Sequence, residues 1–557
     1  MKINPDQRRP RFNFPPNFIA FLLLCVFFII SFLSVLGQSP TYDEARNYNY
    51  GKGILNGDAN RPGDISALDG TRIDGSMMAI SAVNALPYKI SSFLPEGMLR
   101  SILESSMTAR LVSILFSVLV ALLIFRWSGQ LYGSIPAIFS LLLYIFDPNI
   151  IAHSQLVTTD MYAWGTTLLV FFWSWKFAKE RSWQNGLLWA IALGVSALAK
   201  YTTVILLPLS LLAIIIHDSP AWTKACKEST ASAIKKYSGK YFSYLVGGIF
   251  VSILFINIGF LFNKTFMRFG EYHFYSHLLS GIQSSMPVLN NIPVPLPFPY
   301  LEGFDLTYYY GEEGLAFGNT YLLGTLHDGR QGFPGYYLIA SFFKVPIATQ
   351  ILVLAAFYLY LSNRDRRQRF FSDDIFLLLP ILFFTIYFNF LFSINIGIRY
   401  SLVFFPLLYV FCGSLFFGWQ EFSRFQKTVI VLLIGYLAIS TLSYFPTYIP
   451  YFNEFLFDKR QAYKILADSN IDYGQSEGAL NAYLESHPHA IYNPTSPTSG
   501  LIVAGVNDLV GVFGKPEQYA WLRENFEPND TIAHTYLIYN ISAEQITALC
   551  STSDYCK

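Results

Sequence analysis

Three charged side chains fall within four residues after the first long apolar run: Asp43, Glu44 and Arg46 of "TYDEARNY". Farther along, "DPNIIAHSQLVTTD" places His153 and Asp160 between two apolar runs. "SALAKYTT" sets Lys200 and Tyr201 inside another, and Arg110 and Arg399 (in "INIGIRY") open two more. Cations that share a site with carboxylates suit one kind of chemistry. Arginine grips a phosphate through two parallel hydrogen bonds, and lysine acts on it as a point charge. If that phosphate leaves during a reaction, the same cations stabilise its growing charge. A carboxylate in reach of a hydroxyl takes the proton. The set of Asp43, Glu44, Asp160, Arg46, Arg110, Lys200 and Arg399 therefore predicts transfer of a group from a lipid phosphate to an acceptor alcohol. His153 and Tyr201 are further candidates beside it.

Each residue also has a plainer reading. Asp43 or Glu44 serves as a solvated acid or a helix cap, Arg46 pairs with Glu44, and Asp160 caps the helix it opens. Lys200 snorkels to water, Arg110 and Arg399 anchor span ends, and His153 is an ordinary interfacial histidine. His273, His277 and His327 show no metal-site spacing. The residues name no cofactor, and a divalent metal is left open.

The elements that would position these groups are membrane spans. Just over half of the 557 residues are hydrophobic and only 13% are charged, against about 25% charged in soluble proteins. Aromatic residues reach 17%, which excludes a water-soluble core of ordinary size. The near-neutral net charge gives no sign of a nucleic-acid partner. "NFIAFLLLCVFFIISFLSVLG" follows a tail with Lys2, Arg8, Arg9 and Arg11, and is long enough to span. It lacks a small-residue cleavage site, so it reads as an uncleaved anchor.

Further apolar runs lie near residues 108–126, 132–148, 160–177, 187–216, 241–262, 336–361, 375–393, 400–418 and 428–445. The 187–216 run reads as two helices broken near "AKYTT", because one helix would export Lys224, Lys227, Lys235, Lys236 and Lys240. With that choice every basic linker, including "KFAKERS", "NRDRRQR" and "SRFQK", falls on the cytoplasmic side. The expectation is an α-helical polytopic membrane protein of about eleven spans with a small C-terminal α/β domain. Residues 1–17 form a cytoplasmic tail and 18–445 a transmembrane unit with outer loops at 37–107 and 263–335. Residues 446–557 form the extracytoplasmic domain. The candidate residues then all map to the outer rim, where four cations run against the positive-inside tendency.

In the C-terminal region, "SEGALNAYLE" and "PEQYAWLRENF" read as helices, and "LIVAGV" and "IAHTYLIYNI" as strands. The 263–335 loop, rich in Pro, Tyr and Phe, reads either as an interfacial cover or as a lid over a site. Cys550 and Cys556 in "CSTSDYC" could close a short loop in an oxidising compartment; unpaired thiols in a frayed end are the alternative.

These segments resemble a family. "TYDEARNY", "AHSQLVTTDM" and "SALAKYTTVILLP" are similar to segments of the polytopic glycosyltransferases of the protein O-mannosyltransferase and lipid A aminoarabinose transferase group. "FPGYYLIASFFKVPIA", "NIGIRYSLVFFPLLYV" and "YFNEFLFDKRQAYKILADSNIDYGQ" resemble later segments of bacterial members, so the likeness runs over most of residues 18–480. The resemblance implies a GT-C fold and a polyprenyl-phosphate-linked sugar donor. It also implies an acceptor hydroxyl on protein, lipid or glycan, an inverting single displacement, and a place in the bacterial inner membrane. By motif, Asp43 resembles the catalytic carboxylate, Asp160 the second site carboxylate, and Arg46 and Lys200 the donor-phosphate contacts. Two departures stand out: "DGSMMAISAVNALP" replaces a Lys-Pro-Pro or His-Pro-Pro motif, and Tyr473 stands where relatives often have Trp. A transporter or flippase of an anionic glycolipid is the alternative, but it would place its charges near the bilayer midplane.

Overall fold

The computed structural model describes residues 15–64, 73–315 and 318–556. Lys2, Arg8, Arg9 and Arg11 lie outside the described residues. Helices dominate, and among the described residues seven are long and apolar enough to cross a membrane. Two bent pairs, Ser134–Ile145 with Pro148–Ser154 and Tyr336–Lys344 with Ile347–Ser362, raise the count to nine. The chain is an integral membrane protein.

The expected eleven exceed this count by two helices, and the reasons are physical. Asp160–Lys179 has twenty residues, but it carries Asp160, Lys176 and Lys179 and three tryptophans, and nearly all of it is buried against other helices. A helix wrapped in protein needs no lipid-compatible surface. Trp183–Ala197 has fifteen residues, about 22 Å of helix, short of the roughly 30 Å hydrocarbon core.

The break inside the 187–216 run lies at Leu198–Lys200. The Trp183–Ala197 helix stops there, and Lys200 is extended (φ −160°, ψ 146°). A 3-10 turn over Tyr201–Ile205 then leads into Leu206–Glu228. The Thr203 hydroxyl takes up the freed ends, donating to the Ser196 carbonyl (2.5 Å) and the Lys200 carbonyl (2.6 Å). Another break separates Ser134–Ile145 from Pro148–Ser154, which cross at 67°. Asp147 caps the second helix, accepting from the Asn149 and Ile150 amides (2.8 and 3.4 Å), with Pro148 in the first turn.

The described residues of the 263–335 segment are folded. They contain helices His277–Ser285 and Phe298–Glu313 and a hairpin that pairs Thr320–Leu322 with Thr325–His327. Tyr272, Phe274 and Leu279 form a small core of their own. In the C-terminal region a four-stranded mixed sheet runs Ile491–Tyr492, Gly500–Gly505, Tyr536–Ile541, Asp530–Ile532 in spatial order. Only the first pair is parallel. "IAHTYLIYNI" differs from expectation: it is two strands, because Ala533 and His534 turn through the left-handed region (φ +50° and +56°). Helices Glu477–Ser486 and Ala543–Thr552 flank the sheet, and Cys550 is bonded to Cys556. One apolar core runs without interruption from the bundle into this region, from Phe27 to Trp521 and Tyr539.

Candidate active site

Four separate elements deliver charge to one place. Asp43 precedes the Glu44–Leu55 helix and Asp160 opens Asp160–Lys179. Lys200 stands in the helix break, and Arg399 lies in the first turn of Ile398–Phe404. Two backbone bonds fix the approach to Asp43: the Ser39 amide donates to the Gln475 carbonyl (2.9 Å) and the Tyr42 amide to the Tyr473 carbonyl (3.2 Å). The turn before Arg399 needs Gly397 (φ +63°), where a Cβ would sit 2.4 Å from the Ser469 hydroxyl. The 469–475 segment thus sets both Asp43 and Arg399.

Asp43, Arg46, Asp160, Lys200 and Arg399 line one cavity of about 180 Å³. Arg399 Nη1 lies 3.0 Å from Asp43 Oδ2 and 3.6 Å from Asp160 Oδ2. Lys200 Nζ contacts Asp160 Oδ1 and stands 4.0 Å from the centre of the Tyr400 ring. Tyr473 completes the group, accepting a hydrogen bond from Arg399 and donating one to Asp43 Oδ2. Burial pushes the Tyr473 hydroxyl well above the ordinary phenol range, against the pull of Arg399, so it remains a neutral donor. Asp43 is 36% exposed, and its Oδ1 accepts no hydrogen bond among the described residues. Arg46 is exposed on the cavity wall, with no ion pair or hydrogen bond among them. One carboxylate oxygen and one guanidinium are thus open to a ligand.

The other candidates lie elsewhere. Glu44 faces away from the cavity into a buried pair with Arg110: Arg110 Nε and Nη2 donate to its two oxygens, both at 2.7 Å. The Thr41 and Val157 amides fill the remaining Glu44 acceptor sites (2.8 and 3.2 Å). Arg110 also donates to the Gln38 and Ser39 carbonyls (3.1 and 2.8 Å). Both Glu44 oxygens are filled and all three Arg110 nitrogens are engaged, and the pair clamps the end of the first span to the Asp160 turn. Arg46 does not pair with Glu44. His153 is buried off the cavity, edge-on to Trp164 at 5.8 Å, with Nδ1 unpartnered.

Tyr201 lies behind the wall. Its hydroxyl accepts from Arg61 Nη2 (2.8 Å) and donates to the Gly75 carbonyl (3.2 Å). Arg61, absent from the sequence reading, also donates to the Met77 and Pro299 carbonyls. The Phe298–Glu313 helix packs so closely here that a Cβ at Gly303 would sit 2.2 Å from both Arg61 and Tyr201.

The sequence reading missed other lining residues. Asp74, Gly75 and Ser76, the start of the segment that departs from the family motif, form part of the wall. So do Thr307 and Tyr310 of the Phe298–Glu313 helix, so that part of the 263–335 region contributes to the cavity wall. Asn47, Thr158, Thr159 and Tyr400 each sit within four residues of a predicted residue, and that adjacency was the available signal. Among the described residues, no group of three or more His, Cys, Asp or Glu could hold a metal ion.

This arrangement can bind an anion beside a carboxylate able to accept a proton. Among solved structures, the chain is similar to ArnT from Cupriavidus metallidurans bound to undecaprenyl phosphate. That match has 14% identity over 77% of this chain and 70% of the other, with a TM-score of 0.44. It is also similar to the apo oligosaccharyltransferase of Archaeoglobus fulgidus, at 13% identity over 77% and 55% and a TM-score of 0.45. AglB of the same organism, in complex with an inhibitory peptide and a dolichol-phosphate, matches at 14% over 78% and 55%, with a TM-score of 0.44. The chain spans about half the length of the two archaeal proteins. No curated protein matches it by sequence. Residues 94–235, the stretch that carries Asp160 and Lys200, match the family model of the dolichyl-phosphate-mannose-protein mannosyltransferases.

Proposed function

We infer that this chain is a glycosyltransferase that moves a sugar from a polyprenyl-phosphate carrier to an acceptor hydroxyl at the outer face of a bacterial plasma membrane. The observation that carries this reading is the meeting of Asp43, Asp160, Lys200 and Arg399 at one cavity, with Asp43 Oδ1 and Arg46 uncommitted. The motif resemblance and the matched segment, whose family is named for a lipid-phosphate sugar donor, support it.

In this reading Asp43 Oδ1 takes the proton of the acceptor hydroxyl as its oxygen bonds to the anomeric carbon. The bond from that carbon to the phosphate oxygen breaks, and the polyprenyl phosphate leaves with the electron pair. Arg46, Lys200 and Arg399 stabilise the charge that develops there. Asp160 holds Lys200 and Arg399 in place, and attack opposite the leaving group inverts the anomeric centre. The N-terminus lies in the cytoplasm, and the cavity and residues 446–557 lie outside.

Membranes carrying wild type or Asp43→Asn, mixed with a polyprenyl-phosphate sugar and envelope extract, test the reading. Sugar release should be lost in the variant, and unchanged release removes Asp43 from this role. For sidedness, a cysteine placed among residues 224–240 should resist an impermeant thiol reagent applied from outside.

A further inference from the structure

A second, larger cavity lies away from the charged site. It is an apolar groove of about 960 Å³ between the Tyr336–Lys344 and Ile347–Ser362 helices on one side and the Ile375–Ile386 and Phe405–Cys412 helices on the other. Leu354, Phe357, Leu382 and Phe404 line its length. Phe370–Leu391 is a single 22-residue span, about 33 Å long. Arg367 stands just before its start and the cavity residue Arg399 just after its end, so the groove's basic end and the charged cavity face opposite membrane surfaces.

Two groups at that basic end are unmatched. Arg367 lines the groove and is exposed, and its guanidinium makes no ion pair or hydrogen bond among the described residues. Its neighbours Arg366 and Arg369 are engaged, donating to the Ser414 and Leu131 carbonyls. Tyr360 also lines the groove; it is only 6% exposed, lies within electrostatic reach of Asp374, Arg369 and Arg367, and its hydroxyl has no partner among the described residues. A buried donor left unpaired is costly unless a ligand completes it.

We propose that this groove holds an anionic glycerophospholipid of the leaflet opposite the charged cavity. Its phosphate meets Arg367 and the Tyr360 hydroxyl, and an acyl chain lies along Phe357, Leu354 and Leu382. Basic pockets between spans recognise anionic headgroups in this way, and each cation contributes a several-fold preference. The polyprenyl carrier has its charge at the other end, so it leaves Arg367 unmatched.

The test is native mass spectrometry of the full-length protein titrated with phosphatidylglycerol or phosphatidylcholine, for wild type, Arg367→Gln and Leu354→Trp. Wild type should retain one phosphatidylglycerol with about fivefold preference over phosphatidylcholine. Arg367→Gln, at an exposed position, should erase the preference, and Leu354→Trp should lower occupancy by both lipids. Equal retention of the two lipids by wild type overturns the proposal. So does a preference that survives Arg367→Gln, or displacement of phosphatidylglycerol by polyprenyl phosphate.

Discussion

Asp43 and Glu44 are adjacent acids, yet they belong to regions of opposite character. Glu44 sits in a closed pair: both oxygens meet Arg110, and two backbone amides occupy the rest. Asp43 sits in an open group, with one oxygen shared by Arg399 and Tyr473 and the other without a donor among the described residues. Charge alone does not separate a structural ion pair from a site. The difference lies in unfilled bonding capacity, and it predicts which substitutions will affect chemistry and which will affect folding.

The largest expected effect is on turnover. Asp43→Asn should lower sugar transfer by about 10²–10⁴-fold, the usual contribution of a general base, with a smaller change in thermal midpoint than any Glu44 variant. Next comes Glu44→Gln, which leaves Arg110 buried without its counter-charge, at a cost of about 3–5 kcal/mol. Thermal unfolding should record that loss, and a Glu44→Leu/Arg110→Leu pair should recover much of it because no lone charge remains. If Glu44→Gln keeps its midpoint and loses only turnover, the two regions have been assigned the wrong way round.

Arg46→Ala should be milder. Removing one charge-assisted phosphate contact, about 1.5–3 kcal/mol, should raise the KM for the carrier at least about tenfold and leave the midpoint in place. The smallest effect concerns the 469–475 segment that seats Tyr473 and Asp43. Burial raises the Asp472 carboxyl to about 6 from its ordinary 3.8, with Asp508 and Glu477 adding to the shift and the Gly474 amide opposing it. The folded state therefore holds that proton more tightly than the unfolded chain does. Stability should be unaffected below about pH 4, fall as pH rises towards 6, and level off above it. Asp472→Asn should flatten this dependence in thermal scans between pH 4 and 7.

Much of this was legible in the sequence. The break at Lys200 followed from the lysines at 224–240, and Asp43, Arg46, Asp160, Lys200 and Arg399 stood out as charges beside apolar runs. The division between Asp43 and Glu44 was not legible. Asp43 sits just before the helix that Glu44 opens, and which of the two met Arg110 depended on packing between segments 66 residues apart. Tyr473 showed in the sequence only as a departure from the Trp of relatives, because its role depends on Asp43, 430 residues away. The Phe298–Glu313 helix was obscured by the prolines around its start. The turn at Ala533–His534 carries no glycine or asparagine to mark a left-handed conformation.

The most direct measurement compares purified wild type and Asp43→Asn for two quantities in one preparation: binding of polyprenyl phosphate and release of sugar from its glycosylated form. If the open group near Asp43 is where transfer occurs, both proteins bind the carrier with similar affinity and only wild type turns it over. Full turnover by the Asp43→Asn protein would contradict that assignment.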